Sequence, residues 1–180
     1  MKKFVINLSI LSILGLFSCN DKRKEYQIEP IFNEMREMAF SITPEKINFE
    51  TPDDKTVFAV FMETGYSKNA MSLRCIGDGT ISILFTNGGG MIGIGEHESA
   101  KAEGLKLLQM ASDYITKFKT TDTFRLPVNG ETIFYFRTLS GTYFLEEKEK
   151  VLGNNKSEFS PLFYQAQNVI TQARLIQESK

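Results

Sequence analysis

Two thiols, one imidazole and a run of glycines are the groups in this chain whose chemistry invites a function. The thiols are Cys19 and Cys75, and the imidazole is His97, the only histidine. The glycines lie in Asn87-Gly-Gly-Gly-Met-Ile-Gly-Ile-Gly-Glu-His97, which holds five of the chain's 13. A glycine-rich stretch between a strand and a helix can turn several backbone N–H groups toward an anion, with the helix dipole behind them. Missing side chains also let a ligand approach the backbone closely. Gly88, Gly89, Gly90, Gly93 and Gly95, with His97, are therefore the candidate ligand residues. Against an anion stand Glu96 and Glu98, which place negative charge at the helix start. The spacing is not that of a dinucleotide fingerprint, and no lysine stands where a P-loop needs one. The alternative is a strand-to-helix crossover whose glycines only permit close packing.

His97 has no obvious partner. A general base needs a positioned neighbour, and side chains one position away on a helix diverge by about 100°. Its place on an apolar helical stripe predicts a partly buried imidazole bonded to a loop carbonyl, with His97→Gln costing some stability. Cys75 alternates with Met71 and Leu73, which predicts a buried small hydrophobe. A Cys75–His97 nucleophile would need activation by an adjacent base. There is no Gly-x-Ser-x-Gly elbow, paired-histidine motif or cysteine cluster. The reading assigns no catalytic set, no metal and no cofactor, and leaves open whether the chain is an enzyme.

Cys19 stands in a different setting. Met1-Lys2-Lys3 precedes an uncharged, almost wholly apolar run from Phe4 to Phe17, and Ser18 follows. Basic start, apolar stretch and small residue before a cut are the order of a secretory signal. The run is shorter than the roughly 20 residues that a spanning helix needs. Leu16-Phe17-Ser18-Cys19 resembles the lipobox of bacterial lipoproteins, although Phe17 is bulkier than is usual there. The resemblance implies cleavage before Cys19, a diacylglyceryl thioether on its sulfur and a further acyl chain, such as palmitate, on its new amino group. One acyl chain holds a protein reversibly, and several hold it stably. Asn20 is not the aspartate that retains some lipoproteins at the inner membrane, which favours the outer membrane of the cell envelope. Residues 20–29 are polar and of mixed charge, a solvated tether.

The expected organisation is thus a signal peptide over 1–18, a tether over 19–29 and one domain over 30–180. The whole chain carries 21 basic and 22 acidic residues. Removing residues 1–18 takes away Lys2 and Lys3 and no acid, leaving a net charge of −3. A nucleic-acid partner would call for a basic domain or stripe, so none is expected. The partners to expect are the membrane, through lipid on Cys19, and a protein of the envelope.

Periodicity supplies the elements. Pro30 suits a first helical turn, with Ile31, Met35, Met38 and Ile42 as its apolar stripe, and the helix is expected to end near Thr43-Pro44. Residues 56–64 contain Val57-Phe58-Ala59-Val60-Phe61-Met62, apolar on both faces as in a strand covered on both sides. Residues 70–76 and 80–86 alternate as half-buried strands joined by Asp78-Gly79, a strong hairpin signal requiring positive φ at its central residues. A long helix over 96–119 follows the glycine loop, with Ala100 and Gly104 letting it lie close to the sheet. Residues 120–130 read as loop with a turn at Asn129-Gly130. Residues 131–138 and 142–148 form a second hairpin around Ser140-Gly141, and 146–150 a solvated strand end or linker. Ser160 is placed as the N-cap and Pro161 in the first turn of a last helix. Its stripe runs through Leu162, Ala166, Val169, Ile170, Ala173 and Ile176.

The order αβββαββα, with antiparallel hairpins, predicts an α+β domain. The expected sheet is a meander of about five strands flanked by three helices, an order similar to profilin-like and roadblock-like domains. The stretch from Phe85 to His97 also resembles a Gly-Gly-Gly-x-Ile-Gly-x-Gly-x-His segment of a bacterial family of unknown activity, which implies nothing about chemistry. The function expected is a non-catalytic binding domain on a lipid anchor. A ligand-binding protein or enzyme using the loop from Gly88 to Gly95 with His97 is the alternative.

Overall fold

The computed structural model describes residues 26–179. The signal segment, Cys19 and most of the tether lie outside the described residues.

The chain forms α1 (Pro30–Phe40), β1 (Ala59–Gly65), β2 (Ala70–Ile76), β3 (Ile81–Phe85), β4 (Gly90–Met91) and α2 (Glu98–Tyr114). It continues through β5 (Lys119–Thr120), β6 (Glu131–Thr138), β7 (Gly141–Lys148), α3 (Glu149–Gly153) and α4 (Ser160–Glu178). The seven strands make one antiparallel sheet in the order β4-β3-β2-β1-β6-β7-β5, so the expected meander is corrected: after α2 the chain returns to place β6 beside β1 rather than beside β3. The class is α+β. Sequence periodicity finds the five long strands but not β4 or β5, whose two residues are too few to carry a pattern. It also misses α3, five residues that continue straight from β7.

β1 lies in the middle because its run is apolar on both sides, and every residue from Ala59 to Gly65 is buried. One face of the sheet packs against α2 and α4 around Met62, Leu73, Leu107, Phe134 and Val169. Gly104 lets α2 settle onto β3, since a Cβ there would stand 2.7 Å from Ile81 Cδ1. The opposite face holds Phe58, Phe61, Ile133 and Tyr135 under Ala39, Phe40 and the segment after α1.

That second layer corrects two expectations. Ser72 and Arg74 of β2 are 1% and 3% exposed, so β2 is covered on both faces rather than half-buried. And α1 turns a different side inward: it buries Phe32 and Ala39, while Ile31 and Met38 are 49% and 65% exposed. The stripe Ile31-Met35-Met38 is helical in spacing, but a neighbouring stripe built on Phe32, Arg36 and Ala39 reaches the charged groups of the sheet and prevails. α1 also ends at Phe40, three residues earlier than Thr43.

Smaller departures are local. The Asp78 turn closes with Gly79 N–H donating to Ile76 O at 2.9 Å and Thr80 N–H to Asp78 Oδ1 at 2.8 Å. Only Gly79 has positive φ, +91°, so the loop is a type I turn followed by a left-handed glycine rather than the mirror-image turn. α2 stops at Tyr114 and passes through a single 3-10 turn into β5. Ser160 is inside α4 rather than capping it. Its hydroxyl accepts from Ser157 N–H at 3.3 Å, and Phe159 holds the cap position.

Candidate functional site

The glycine loop is a folded piece of the sheet rather than an open cradle. Gly90 and Met91 pair with Leu84 and Ile83 as β4. Gly88 N–H donates to Phe85 O at 2.9 Å, and Gly89 N–H to Asn87 Oδ1 at 3.2 Å. Farther along, Glu96 and His97 N–H donate to Gly93 O and Ile94 O, both at 3.2 Å. These donors close the loop on itself. Gly88 and Gly93 adopt φ of +83° and +73° in its two bends. Gly95 lies against the Asp78-Gly79 turn, where a Cβ would come within 1.8 Å of Gly79 O. A Cβ on Gly90 would meet Ile83 O at 2.3 Å, whereas one on Gly89 would touch only Asn87 Oδ1 at 3.4 Å. Gly93 also sits beside the Glu96 carboxylate, so the bend nearest α2 faces negative charge.

His97 is exposed and makes no side-chain hydrogen bond at the start of α2. The expectation of a partly buried imidazole bonded to a loop carbonyl is overturned. The 3-10 turn at Ile94–Glu96 swings the chain before α2 begins, so the stripe that buries Ala100 and Gly104 does not extend back to residue 97. His97→Gln is accordingly expected to leave stability within about 0.5 kcal/mol of the unmodified chain. Chemical denaturation measures this directly, and a larger loss would mean the imidazole has a structural partner.

His97 instead borders an open depression of about 270 Å³ between the loop and α4. Its walls are Met91, Ile92, Ile94, Ala173 and Ile176, with Gln177 as the second polar side chain. Cys75 is far from this chemistry in character: it is 0% exposed, and burial pushes its thiol up to about 12. A thiol so held is no nucleophile at neutral pH. No group of three His, Cys, Asp or Glu residues able to hold a metal is found among the described residues.

The strongest electrostatic feature is one that sequence patterning passes over. Glu63, on the central strand, is 0% exposed and takes both oxygens to Arg36 of α1, at 2.7 Å to Nε and 2.8 Å to Nη2. Arg36 also donates to Phe124 O at 3.0 Å. Burial alone would lower its pKa, but the hydrogen bonds and charge of Glu63 outweigh that and leave it raised. Beside the pair, Arg74 donates to Met35 O at 2.8 Å and to Ser72 Oγ at 3.3 Å. Its Nη2 is buried without an acceptor. Burial brings the Arg74 guanidinium down to about 10; Glu63 opposes that shift and Arg36 adds to it. Arg137, from β6, donates to Phe40 O and Ile42 O beyond the end of α1.

Each of the three guanidiniums also lies over an aromatic ring, Arg36 on Phe40, Arg74 on Phe32 and Arg137 on Phe58. Cations at the carbonyl end of a helix meet the negative end of its dipole. α1 is therefore held by charge and by rings as much as by apolar packing. The available signal was that Glu63 and Arg74 sit inside otherwise apolar strands. Arg125 forms a second, more exposed group, 2.6 Å from Glu131 and 2.5 Å from Glu146. Arg125 and Glu146 line an open surface depression of about 210 Å³ together with Thr121, Tyr135 and Phe144.

These features define a class by architecture: an α+β domain with an open seven-stranded antiparallel sheet, helices on both faces and an ionic clamp under the first helix. Comparison of the chain with protein-family models, with curated proteins and with solved structures finds no match.

Proposed function

We propose that the chain is a lipid-anchored protein of the bacterial cell envelope whose α+β domain binds another envelope protein without catalysing a reaction. The observation that carries this is the order of the N-terminal residues, basic, then apolar, then Leu16-Phe17-Ser18-Cys19. The anchor would be lipid on Cys19, with Asn20 favouring the outer membrane. No helix among the described residues is long and apolar enough to cross a membrane. The first helix starts at Pro30, a short stretch of chain away from the anchoring position. The net charge of −3 after cleavage supports a protein partner over nucleic acid. The layering, an antiparallel sheet between helices, supports the profilin-like or roadblock-like comparison at the level of layers.

Cys19→Ser tests the reading in cells. Detergent-phase partitioning of the unmodified chain, and its loss in the variant, is the expected pair of results. Cross-linking in intact envelopes should then give one discrete protein adduct with the unmodified chain. Turnover of an envelope substrate by the purified protein would contradict the binding role.

One observation favours a second reading, a small-ligand site at the glycine loop. The depression there joins apolar side chains to two polar ones, His97 and Gln177, and exposes polar and apolar surface in about equal measure. A His97→Gln variant of unchanged stability that loses a ligand would promote it.

A further inference from the structure

The allocation of charge under α1 is incomplete, and its incompleteness has a direction. Two arginines, Arg36 and Arg74, face one buried carboxylate, Glu63, and Arg36 takes both of its oxygens. Arg74 is left with a backbone carbonyl of α1, one serine hydroxyl and a buried nitrogen that has no acceptor. In the β1–β2 register Glu63 pairs with Ser72 and Phe61 with Arg74. Glu63 and Arg74 are therefore diagonal neighbours on one face, a separation of about 7–8 Å that long side chains bridge.

Arg36 belongs to α1 and leaves if α1 leaves, whereas Arg74 belongs to the sheet and stays. α1 itself fully buries only Phe32 and Ala39, whereas α2 buries five residues and α4 seven. Phe40, partly buried, packs on Phe61, Phe124 and Tyr135, and guanidinium groups supply the remaining hold. Its entry is fixed by Glu29 N–H to Thr86 O at 2.8 Å and Tyr26 Oη to Pro127 O at 2.7 Å. Of the three long helices α1 therefore has the smallest buried set to uncover, and such low-stability units open ahead of the rest of a fold.

We propose that α1 is a releasable cover over the sheet, and that Arg74 takes Glu63 from Arg36 when it lifts. The docked state pairs Arg36 with Glu63 and leaves Arg74 short of one acceptor. The released state pairs Arg74 with Glu63, gives Arg36 to water and exposes Phe61 and Tyr135. Two discrete pairings of one carboxylate make the element two-state, the requirement for a switch. On the lipid-anchor reading, release followed by unwinding of α1 would also let residues 26–43 span up to about 60 Å between membrane and domain. The exchange of partners itself does not depend on that reading.

Native-state amide hydrogen exchange on the full chain in detergent is the test. Amides of Met38, Ala39 and Phe40 are expected to exchange at least about 100-fold faster than those of Val60–Met62 in β1. Equal protection of the two sets would overturn the proposal. Arg74→Met separates a competitor for Glu63 from a simple clamp on Met35 O. The variant is expected to slow exchange in α1 about tenfold, because the loss of the released state's pairing and of a buried nitrogen without an acceptor outweighs the loss of the Arg74 contacts with Met35 O and Phe32. Unchanged or faster exchange in α1 would overturn it. If Arg74→Met does not fold, the comparison of α1 with β1 in the unmodified chain still decides.

Discussion

Glu63→Ala is expected to lower unfolding stability by about 3–5 kcal/mol, a large share of what a domain of this size possesses. The reason lies less in the lost attraction than in what remains. Arg36 would keep its charge in a half-closed site, and Arg74, 3% exposed, would lose the one carboxylate that acts on it among the described residues. Uncompensated buried charge is costly, whereas apolar replacement of a whole ion pair is often neutral or favourable. Arg36→Met combined with Glu63→Leu is therefore expected to lose less than Glu63→Leu alone. Urea titration of the two variants reads the difference. Additive losses would mean that Arg36 and Glu63 do not act as a unit.

Gly95→Ala is expected to cost about 3 kcal/mol, at the upper end for overpacking. The added Cβ would meet the backbone of the first hairpin, 1.8 Å from Gly79 O and 3.1 Å from Ile81 N. Neither atom belongs to a flexible side chain, so the loop or the hairpin must move. Gly89→Ala, two bends away, is expected to change stability by no more than about 0.5 kcal/mol, because only Asn87 Oδ1 stands near. Thermal or chemical denaturation of the two variants therefore separates glycines that the fold requires from one that it does not. Equal, small effects would return the whole stretch to the role of a ligand loop.

These two residues show where a sequence is legible. The long strands and helices could be read because their apolar periods are strong, and β1 could be placed between two layers because both of its faces are apolar. The layer covering β2 on its second face could not be read. Ser72 and Arg74 look like a solvent face until it is known that α1 brings Met35 O and Phe32 over them. The same gap inverted α1: its apolar stripe at Ile31 and Met38 is a valid helical pattern, but long-range charge decides which side turns inward.

The glycine loop was visible as a place and ambiguous as chemistry. Whether a glycine serves a ligand or a neighbouring backbone depends on what lies opposite, and for Gly95 that is Gly79, sixteen positions earlier. His97 was misplaced for a local reason, a 3-10 turn that rotates the chain just before α2.

The proposed location and role rest on lipid at the sulfur of Cys19, and the mass of the mature N-terminal peptide tests the proposal most directly. Digestion of chain recovered from membranes is expected to yield a peptide beginning at residue 19, heavier than its amino acids by a diacylglyceryl group and an acyl chain. A peptide that begins anywhere else, or one that begins at Cys19 with an unmodified thiol, would contradict the account.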